Sequence, residues 1–269
     1  MTLKRLCFVV TLVMLLGTAA QGREVWFLGV GNDGYDDDTS AAFAALSAQW
    51  TATGDTVHGQ LFVNHGGTQI VSDLAWLVTN AGPGDLAVFY YSGHGGYENE
   101  NNGDELAGWA LDSYDETIGL TGGTWAREDD LTAALTGINS GVTLLTIFDT
   151  CYGGGFVGGT QDLNALDNLL FIAASTELTL SYGGDPLSVL TEQLVAGVAA
   201  GLPADTNFDG ILTFDEWVAY AQANISGQKT TPYVGFSGGN DYAIIVPEPA
   251  TLVLLGFGLG GLFVRRRSR

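Results

Sequence analysis

The chain contains very little cysteine. Its 269 residues include only Cys7 and Cys151. Cys7 lies in an amino-terminal apolar run with the features of a signal peptide, so the mature protein would keep a single thiol. One cysteine cannot form an intramolecular disulfide, which excludes a disulfide-stabilised scaffold. Because Cys151 has no structural bridge to make, a chemical role for this thiol gains weight.

Basic residues are almost absent from the body of the chain. Of the nine Lys and Arg residues, only Arg127 and Lys229 lie between residues 24 and 264, whereas all 30 Asp and Glu residues lie there. Such an acidic surface repels nucleic acid, so we expect no nucleic-acid partner. Clustered carboxylates instead favour divalent cations, which neutralise their mutual repulsion.

Residues 1–22 are typical of a secretory signal peptide. Lys4 and Arg5 precede a short apolar run that ends in small residues, which is the usual order of such a peptide and its cleavage site. We expect signal peptidase to cleave after Ala20 or Gly22 and the protein to be exported. The alternative is a retained membrane anchor, for which the apolar run is short.

Residues 246–269 combine Val246-Pro247-Glu248-Pro249, a glycine-rich apolar stretch and an arginine cluster. A positive cluster after an apolar helix keeps that end cytoplasmic. The composite closely resembles the PEP-CTERM sorting signal. The resemblance implies a Gram-negative bacterium and an exosortase that cleaves near the Pro-Glu-Pro. The C-terminal helix would anchor the chain transiently or permanently, and the protein would reside at the cell surface, in the outer envelope or outside the cell. The alternative is a plain membrane anchor.

Between these ends, residues 24–245 are predicted to form one domain. Apolar runs predict strands at residues 25–30, 60–63, 86–91, 142–148, 169–174 and 242–246. Helical periodicity predicts helices at 39–50, 68–80, 128–135, 187–200 and 214–223. The first helix is expected to be capped near Asp38. This alternation indicates an α/β fold, with a parallel or mostly parallel sheet and helices on both faces.

Two predicted strands end in glycine-rich turns that each carry a reactive residue. One strand leads into Ser92-Gly93-His94-Gly95, and the other leads into Asp149-Thr150-Cys151-Tyr152-Gly153. Ligands of open α/β sheets bind outside the carboxyl ends of the strands, so His94 and Cys151 can meet there as base and nucleophile. His65 follows only a short strand and leads into a helix, and we expect no catalytic role for it or for His58.

The two turns, in this order, resemble those of caspase-like cysteine peptidases of the metacaspase branch, and the similarity extends over residues 25–175. It implies a caspase-like three-layer α/β/α sandwich and a cysteine endopeptidase with a His94–Cys151 dyad. The Cys151 thiolate would attack a peptide carbonyl, and His94 would polarise the system or protonate the leaving amine. Backbone N–H groups of Gly95 and Cys151 would bind the oxyanion.

The resemblance also implies a specificity pocket built from Ser92 and Asp149, each two residues before a reactive residue. A further acid would come from the region after the first strand, where Asp38 is the nearest candidate and Asp36 and Asp37 are alternatives. A carboxylate on the pocket floor favours a peptide or protein substrate with Arg or Lys at the cleaved position. Asp149 has an alternative role, as a cap of its own following turn.

Residues 205–216 fit the twelve-residue EF-hand loop position by position. Oxygen ligands occur at each required position, from Asp205, Asn207, Asp209, the Ile211 carbonyl, Thr213 and a bidentate Glu216. We expect a structural Ca²⁺ ion, although a dockerin-like half-motif or a solvated acidic turn stays open. The metacaspase resemblance separately implies calcium dependence through a different acidic site.

Two other functions also stay open. A legumain-like asparaginyl peptidase has the same His-Gly and Cys layout, although Asp149 favours the metacaspase branch. A non-catalytic calcium-binding cell-surface protein could have the same fold, but it would have no need of both His94 and Cys151.

Overall fold

A central sheet with helices on both faces organises the fold. The computed structural model describes residues 22–99, 114–157, 162–225, 233–236 and 242–246. In chain order these form β1 (Glu24–Gly31), α1 (Asp36–Ala52), β2 (Thr56–Val63), α2 (Gly67–Asn80), β3 (Leu86–Ser92), β4 (Gly95–Asn99), β5 (Tyr114–Ile118), β6 (Ala126–Arg127), α3 (Glu128–Leu135), β7 (Thr143–Asp149), β8 (Leu169–Ala173), α4 (Val189–Gly197), β9 (Leu212–Thr213), α5 (Phe214–Asn224), β10 (Tyr233–Phe236) and β11 (Ala243–Ile245).

The central sheet has the strand order β10-β8-β7-β3-β1-β2. Strands β2, β1, β3, β7 and β8 are parallel, and β10 is antiparallel to β8 at the edge. Side chains of the parallel strands alternate between two cores. For example, Phe27 packs in one core and Leu28 in the other. This is why the strands appear in the sequence as continuous apolar runs.

Each face of the sheet buries its own set of helices. Trp50 of α1, Leu194 of α4 and Trp217 of α5 belong to one core. Leu74 of α2 and Leu131 of α3 belong to the other. The predicted three-layer α/β/α sandwich with a mostly parallel sheet is therefore confirmed.

The first helix corrects one expectation about capping. Helix α1 begins at Asp36, and its N-cap residue is Tyr35, whose side chain makes no capping hydrogen bond. Asp38 lies inside the first turn and not at the cap. Three consecutive aspartates suit the positive end of the helix dipole, so the helix starts earlier than the apolar pattern suggests.

Three parts of the fold differ from the sequence prediction. A separate antiparallel sheet, β4-β5-β6, was not predicted, because its strands are polar and lack a clear alternation. The final predicted strand exists as β11, but it pairs with β9 and not with the central sheet. The helix predicted at 187–200 is shorter and ends at Gly197.

The predicted terminal segments lie almost wholly outside the described residues, as do residues 100–113. Across the part of the chain that the structure describes, no helix is both long and apolar enough to cross a bilayer.

Candidate active site

The register of two neighbouring parallel strands brings the two reactive turns together. Ser92 at the end of β3 is directly opposite Asp149 at the end of β7. The Gly93 N–H donates to the Asp149 carbonyl at 3.2 Å. His94 and Cys151 each follow this pair by two residues, so both are displayed at the same edge of the sheet.

Gly95 lets the two turns touch. A side chain at this position would collide with the backbone carbonyl of Cys151 and with the Thr150 hydroxyl group. The glycine therefore permits the close approach of the two turns.

The Cys151 thiol is free and partly buried. Its Sγ lies 3.8 Å from the Ser181 carbonyl oxygen and 3.8 Å from the Ser181 hydroxyl oxygen. The Ser175 hydroxyl group fixes the turn, since it donates to the Thr150 carbonyl at 2.9 Å and accepts from the Gly153 N–H at 3.0 Å. The Cys151 thiol is thus held beside residue 181, on a turn that the Ser175 hydrogen bonds fix.

The His94 side chain is exposed at the mouth of the site. Its ring meets Tyr35 edge-on, with centroids 6.1 Å apart and planes at 77°. The Tyr91 hydroxyl group donates to the His94 carbonyl at 2.8 Å, which fixes the backbone of the turn. The imidazole can therefore exchange protons with a substrate or with water.

Three predicted pocket residues converge in one buried cluster beside the dyad. Asp38, Ser92 and Asp149 are each 3% exposed or less. The Ser92 hydroxyl group donates to Asp38 Oδ2 at 2.7 Å. Asp38 is thereby distinguished from its alternatives, because Asp37 is exposed and Asp36 is only half-buried.

Ser188 links the two pocket carboxylates. Its N–H donates to Asp38 Oδ1 at 2.8 Å, and its hydroxyl group donates to Asp149 Oδ2. Asp149 Oδ2 also accepts from the Thr191 N–H at 3.0 Å and from the Thr191 hydroxyl group at 2.6 Å. These acceptors serve the first turn of α4, so the alternative in which Asp149 caps its own following turn is wrong.

The electrostatics of the pocket centre on Asp149. Burial raises the pKa of its carboxyl to about 6, although the hydrogen bonds from Ser188 and Thr191 act in the opposite direction. The charge of Asp38 adds to the rise. Above about pH 6 the buried Asp149 carboxyl therefore carries a negative charge with little solvent around it.

Tyr35 is a further neighbour of this pocket. Burial raises the pKa of its phenol, and the charges of Asp149 and Asp38 raise it further. Gly183 lies beside its hydroxyl group.

Sequence reasoning missed Tyr35, Ser188 and Thr191. A serine before an apolar helix is a capping signal, yet Ser188 makes no side-chain cap and binds Asp149 instead.

The other two histidines have structural partners away from the dyad. His58 stacks on Trp26 with ring centroids 4.0 Å apart, and its Nε2 lies 2.7 Å from Glu24. His65 Nδ1 lies 2.6 Å from Asp73, and its ring stacks on Phe62.

A buried acidic cluster lies behind the cysteine turn and was not assigned from the sequence. Its members are Asp115 and Glu116 of β5, Glu128 of α3, and Asp162, all 2% exposed or less. Burial raises the pKa of the Glu128 carboxyl to about 11, and the charges of Glu116, Asp115 and Asp162 add to the rise. A side chain at Gly155 would collide with the Glu116 carboxylate, so the cysteine turn packs directly on this cluster.

Side chains of the predicted calcium loop accept hydrogen bonds from the loop's own backbone. Asp205 Oδ2 accepts from the Gly210 N–H at 2.9 Å across the loop, and Asn207 Oδ1 accepts from the Asp209 N–H at 2.8 Å. Asp205 is 6% exposed, and its Oδ1 is buried without a hydrogen-bond partner. Glu216 accepts from the Thr213 hydroxyl group at 3.0 Å. Within the described ranges, no three His, Cys, Asp or Glu side chains are already gathered closely enough to hold a metal ion.

Two segments of the chain match known protein families. Residues 50–159, which include both His94 and Cys151, match the metacaspase peptidase C14 domain. Residues 246–267 match the PEP-CTERM protein-sorting motif. The predicted resemblances to metacaspases and to PEP-CTERM signals are confirmed.

Curated relatives with similar sequences are metacaspases. Metacaspase-1 of Schizosaccharomyces pombe is 36% identical over 86 residues, which is 30% of this chain and 19% of that protein. Metacaspase-1 of Scheffersomyces stipitis is 33% identical over 124 residues, or 42% of this chain and 30% of that protein. The similarity thus spans less than a third of the length of either relative.

Solved structures share the fold at low identity. A protein from Geobacter sulfurreducens aligns with a TM-score of 0.60 and 18% identity, covering 81% of this chain and 95% of that one. The Drosophila initiator caspase Dronc aligns with a TM-score of 0.50 and 11% identity, covering 85% of each chain. These likenesses establish a caspase-like fold.

Proposed function

We propose that this chain, which carries a metacaspase-type peptidase segment and a PEP-CTERM sorting motif, is an exported cysteine endopeptidase that cleaves after Arg or Lys. The observation that carries the proposal is a juxtaposition. The His94 and Cys151 turns touch through Gly95, and the buried Asp38–Ser92–Asp149 cluster lies beside them.

The proposed reaction uses Cys151 as the nucleophile and His94 as the acid and base. The Cys151 thiol passes its proton to His94, and the resulting thiolate attacks the carbonyl carbon of the scissile peptide and forms a carbon–sulfur bond. Backbone N–H groups of Gly95 and Cys151 hold the resulting oxyanion. His94 donates a proton to the leaving amine as the carbon–nitrogen bond breaks. Water, deprotonated by His94, then hydrolyses the thioester and releases the thiol.

Substrate choice follows from the pocket charge. A buried carboxylate binds a guanidinium or ammonium group far better than a neutral side chain, because an unpaired buried charge is costly. Ser188 holds Asp38 and Asp149 together, so both carboxylates can face one basic side chain. The acidic surface of the domain would also attract basic substrates over distance.

We also propose that the loop at residues 205–216 binds a structural Ca²⁺ ion. The donor set consists of oxygen atoms, which is what Ca²⁺ prefers. Asp205 supports the fit, since one of its carboxylate oxygens is bound inside the loop and the other is buried without a partner. The ion would take Asp205, Asn207, Asp209, the Ile211 carbonyl, Thr213 and Glu216.

The sorting motif supports processing at the cell envelope. Signal peptidase would remove residues 1–22, and an exosortase would act on the C-terminal segment. The domain would then work at the cell surface, in the outer envelope or outside the cell of a Gram-negative bacterium.

The activity is tested with a library of fluorogenic peptides that differ only at the cleaved position. Each peptide is assayed with calcium and with chelator. We expect hydrolysis after Arg and Lys by the native protein and none by Cys151→Ala. Preferred cleavage after Asn would indicate the legumain-like alternative. Absence of any hydrolysis by folded, calcium-loaded protein would favour the non-catalytic binding protein.

A further inference from the structure

The last described strand connects the domain to its sorting motif. Strand β11 ends at Ile245, which is fully buried, and the sorting motif starts at the next residue, Val246, which is 42% exposed. The attachment of β11 therefore decides how firmly the start of the sorting motif is held against the domain.

The predicted calcium loop supplies the strand partner of β11. Strand β9, which pairs antiparallel with β11, consists of the eighth and ninth residues of the loop, Leu212 and Thr213. Thr213 is paired with Ala243, and it is also one of the predicted calcium ligands. The next residue, Phe214, donates its N–H to the Tyr242 carbonyl at 2.8 Å.

Side chains from the start of the domain bind the other side of β11. The Arg23 guanidinium donates to the Ala243 carbonyl at 3.0 Å and to the Ile244 carbonyl. Asp55 orients this guanidinium by accepting from Arg23 Nε at 3.0 Å. Trp50 Nε1 also donates to the Ile244 carbonyl, at 2.9 Å, in the buried core.

The two attachments differ in what can change them. The Arg23 and Trp50 contacts involve no residue of the calcium loop. Strand β9 instead belongs to a loop whose carboxylates repel one another until a cation binds. Calcium is therefore the variable that can tighten or loosen the hold on β11.

We propose that the loop at residues 205–216 is a calcium-dependent latch for the C-terminal sorting segment. With calcium bound, β9 is fixed and β11 stays paired, so the junction at Ile245 and Val246 is held on the domain. Without calcium, β9 and β11 separate more often and the junction becomes accessible to a processing protease. This inference rests on the proposed calcium site.

Hydrogen exchange measured by mass spectrometry on the full chain in detergent tests the latch. Peptides covering β9 and β11 are followed with CaCl₂ and with chelator, and calcium binding is measured separately by titration calorimetry. If opening of β11 requires release of the ion, calcium at about 100 times its Kd slows exchange there about 100-fold. Exchange in β3 of the central sheet should change far less.

Matched variants separate the site from general charge effects. Asp205→Asn keeps an oxygen for the Gly210 N–H but removes a ligand charge, and it should abolish the calcium effect on β11. Asp215→Asn makes the same charge change at an exposed position outside the ligand set, and it should keep the effect. Arg23→Gln should speed β11 exchange with and without calcium while the calcium response persists.

The outcomes distinguish the latch from the calcium site on which it rests. Calcium binding without slower exchange in β11 would overturn the latch and leave the site intact. No calcium binding by the folded native chain would overturn both. An equal loss of response in Asp205→Asn and Asp215→Asn would attribute the effect to surface charge and contradict the latch.

Discussion

At the scale of single residues, we propose that His94 and Cys151 carry the chemistry. We expect His94→Ala to lower kcat/KM by about 10²- to 10⁴-fold, because it removes the proton donor for the leaving amine. Cys151→Ala should remove activity altogether. His65→Ala is the matched control, since His65 is paired with Asp73 away from the dyad. Equal losses in the two histidine variants, measured as initial rates on one peptide, would contradict the assignment.

If Asp149 binds the basic side chain of the substrate as we propose, selectivity for basic peptides should depend on pH. Its pKa is raised to about 6, so the carboxyl becomes neutral as the pH falls through that value. We expect the ratio of kcat/KM for Arg-containing peptides to kcat/KM for neutral peptides to fall as the pH falls. In Asp149→Asn this ratio should be low and should not change with pH. Using the ratio cancels titration of the dyad, which affects both substrates. A ratio that does not change between acidic and neutral pH would contradict the role of Asp149.

The same raised pKa has a consequence for folding. The folded protein binds a proton at Asp149 more readily than the unfolded chain, so the ionised form costs stability as the pH rises from 3.8 to about 6. Above this range the native protein is therefore less stable than it would be if the Asp149 carboxyl kept its ordinary pKa.

Residues near one another in the sequence were predictable and their distant partners were not. Asp149 and Ser92 each lie two residues from a reactive residue, so the motifs indicated both. Ser188 is separated from Asp38 by 150 positions, and only the packing of α4 beside β7 brings it to the pocket. No local pattern marks Tyr35 as a neighbour of His94.

At the scale of elements, the first turn of α3 buries a charge that the fold must neutralise. The pKa of Glu128 is raised to about 11 from 4.5, so the folded protein retains a proton that the unfolded chain releases. Stability should therefore fall as the pH rises between these values, by up to about 1.4 kcal/mol per pH unit for one proton.

Urea unfolding midpoints across this pH range, in chelator, measure the effect of Glu128. We expect Glu128→Gln to flatten the decline. Glu192→Gln should not, because Glu192 occupies the first turn of α4 but is exposed. A native protein whose stability rises steadily over the range would contradict a protonated Glu128.

The parallel core was predictable as elements because doubly buried strands and amphipathic helices leave strong patterns. The β4-β5-β6 sheet and the β9–β11 pair were not predictable in this way. Their strands are short, and their pairing depends on contacts between segments far apart in the chain, such as Thr213 with Ala243.

At the scale of the whole molecule, we expect the shortage of basic residues to limit self-cleavage. Arg127 lies in β6, donates to Glu98 at 3.0 Å and is close to buried Asp115. We therefore expect any internal self-cleavage of the folded domain to follow Lys229 and not Arg127. N-terminal sequencing of fragments, with Cys151→Ala as the uncleaved control, checks this. Fragments that begin after Asp residues would contradict basic specificity.

Covalent labelling of Cys151 tests the proposed activity most directly. The native protein is incubated with a peptide acyloxymethyl ketone ending in Arg and with a matched one ending in Asp, and the modified residue is located by mass spectrometry. We predict a thioether on Cys151 with the Arg reagent, little with the Asp reagent, and slow labelling in His94→Ala. An unmodified Cys151 in the folded protein, or equal labelling by both reagents, would contradict a thiol peptidase with an acidic pocket.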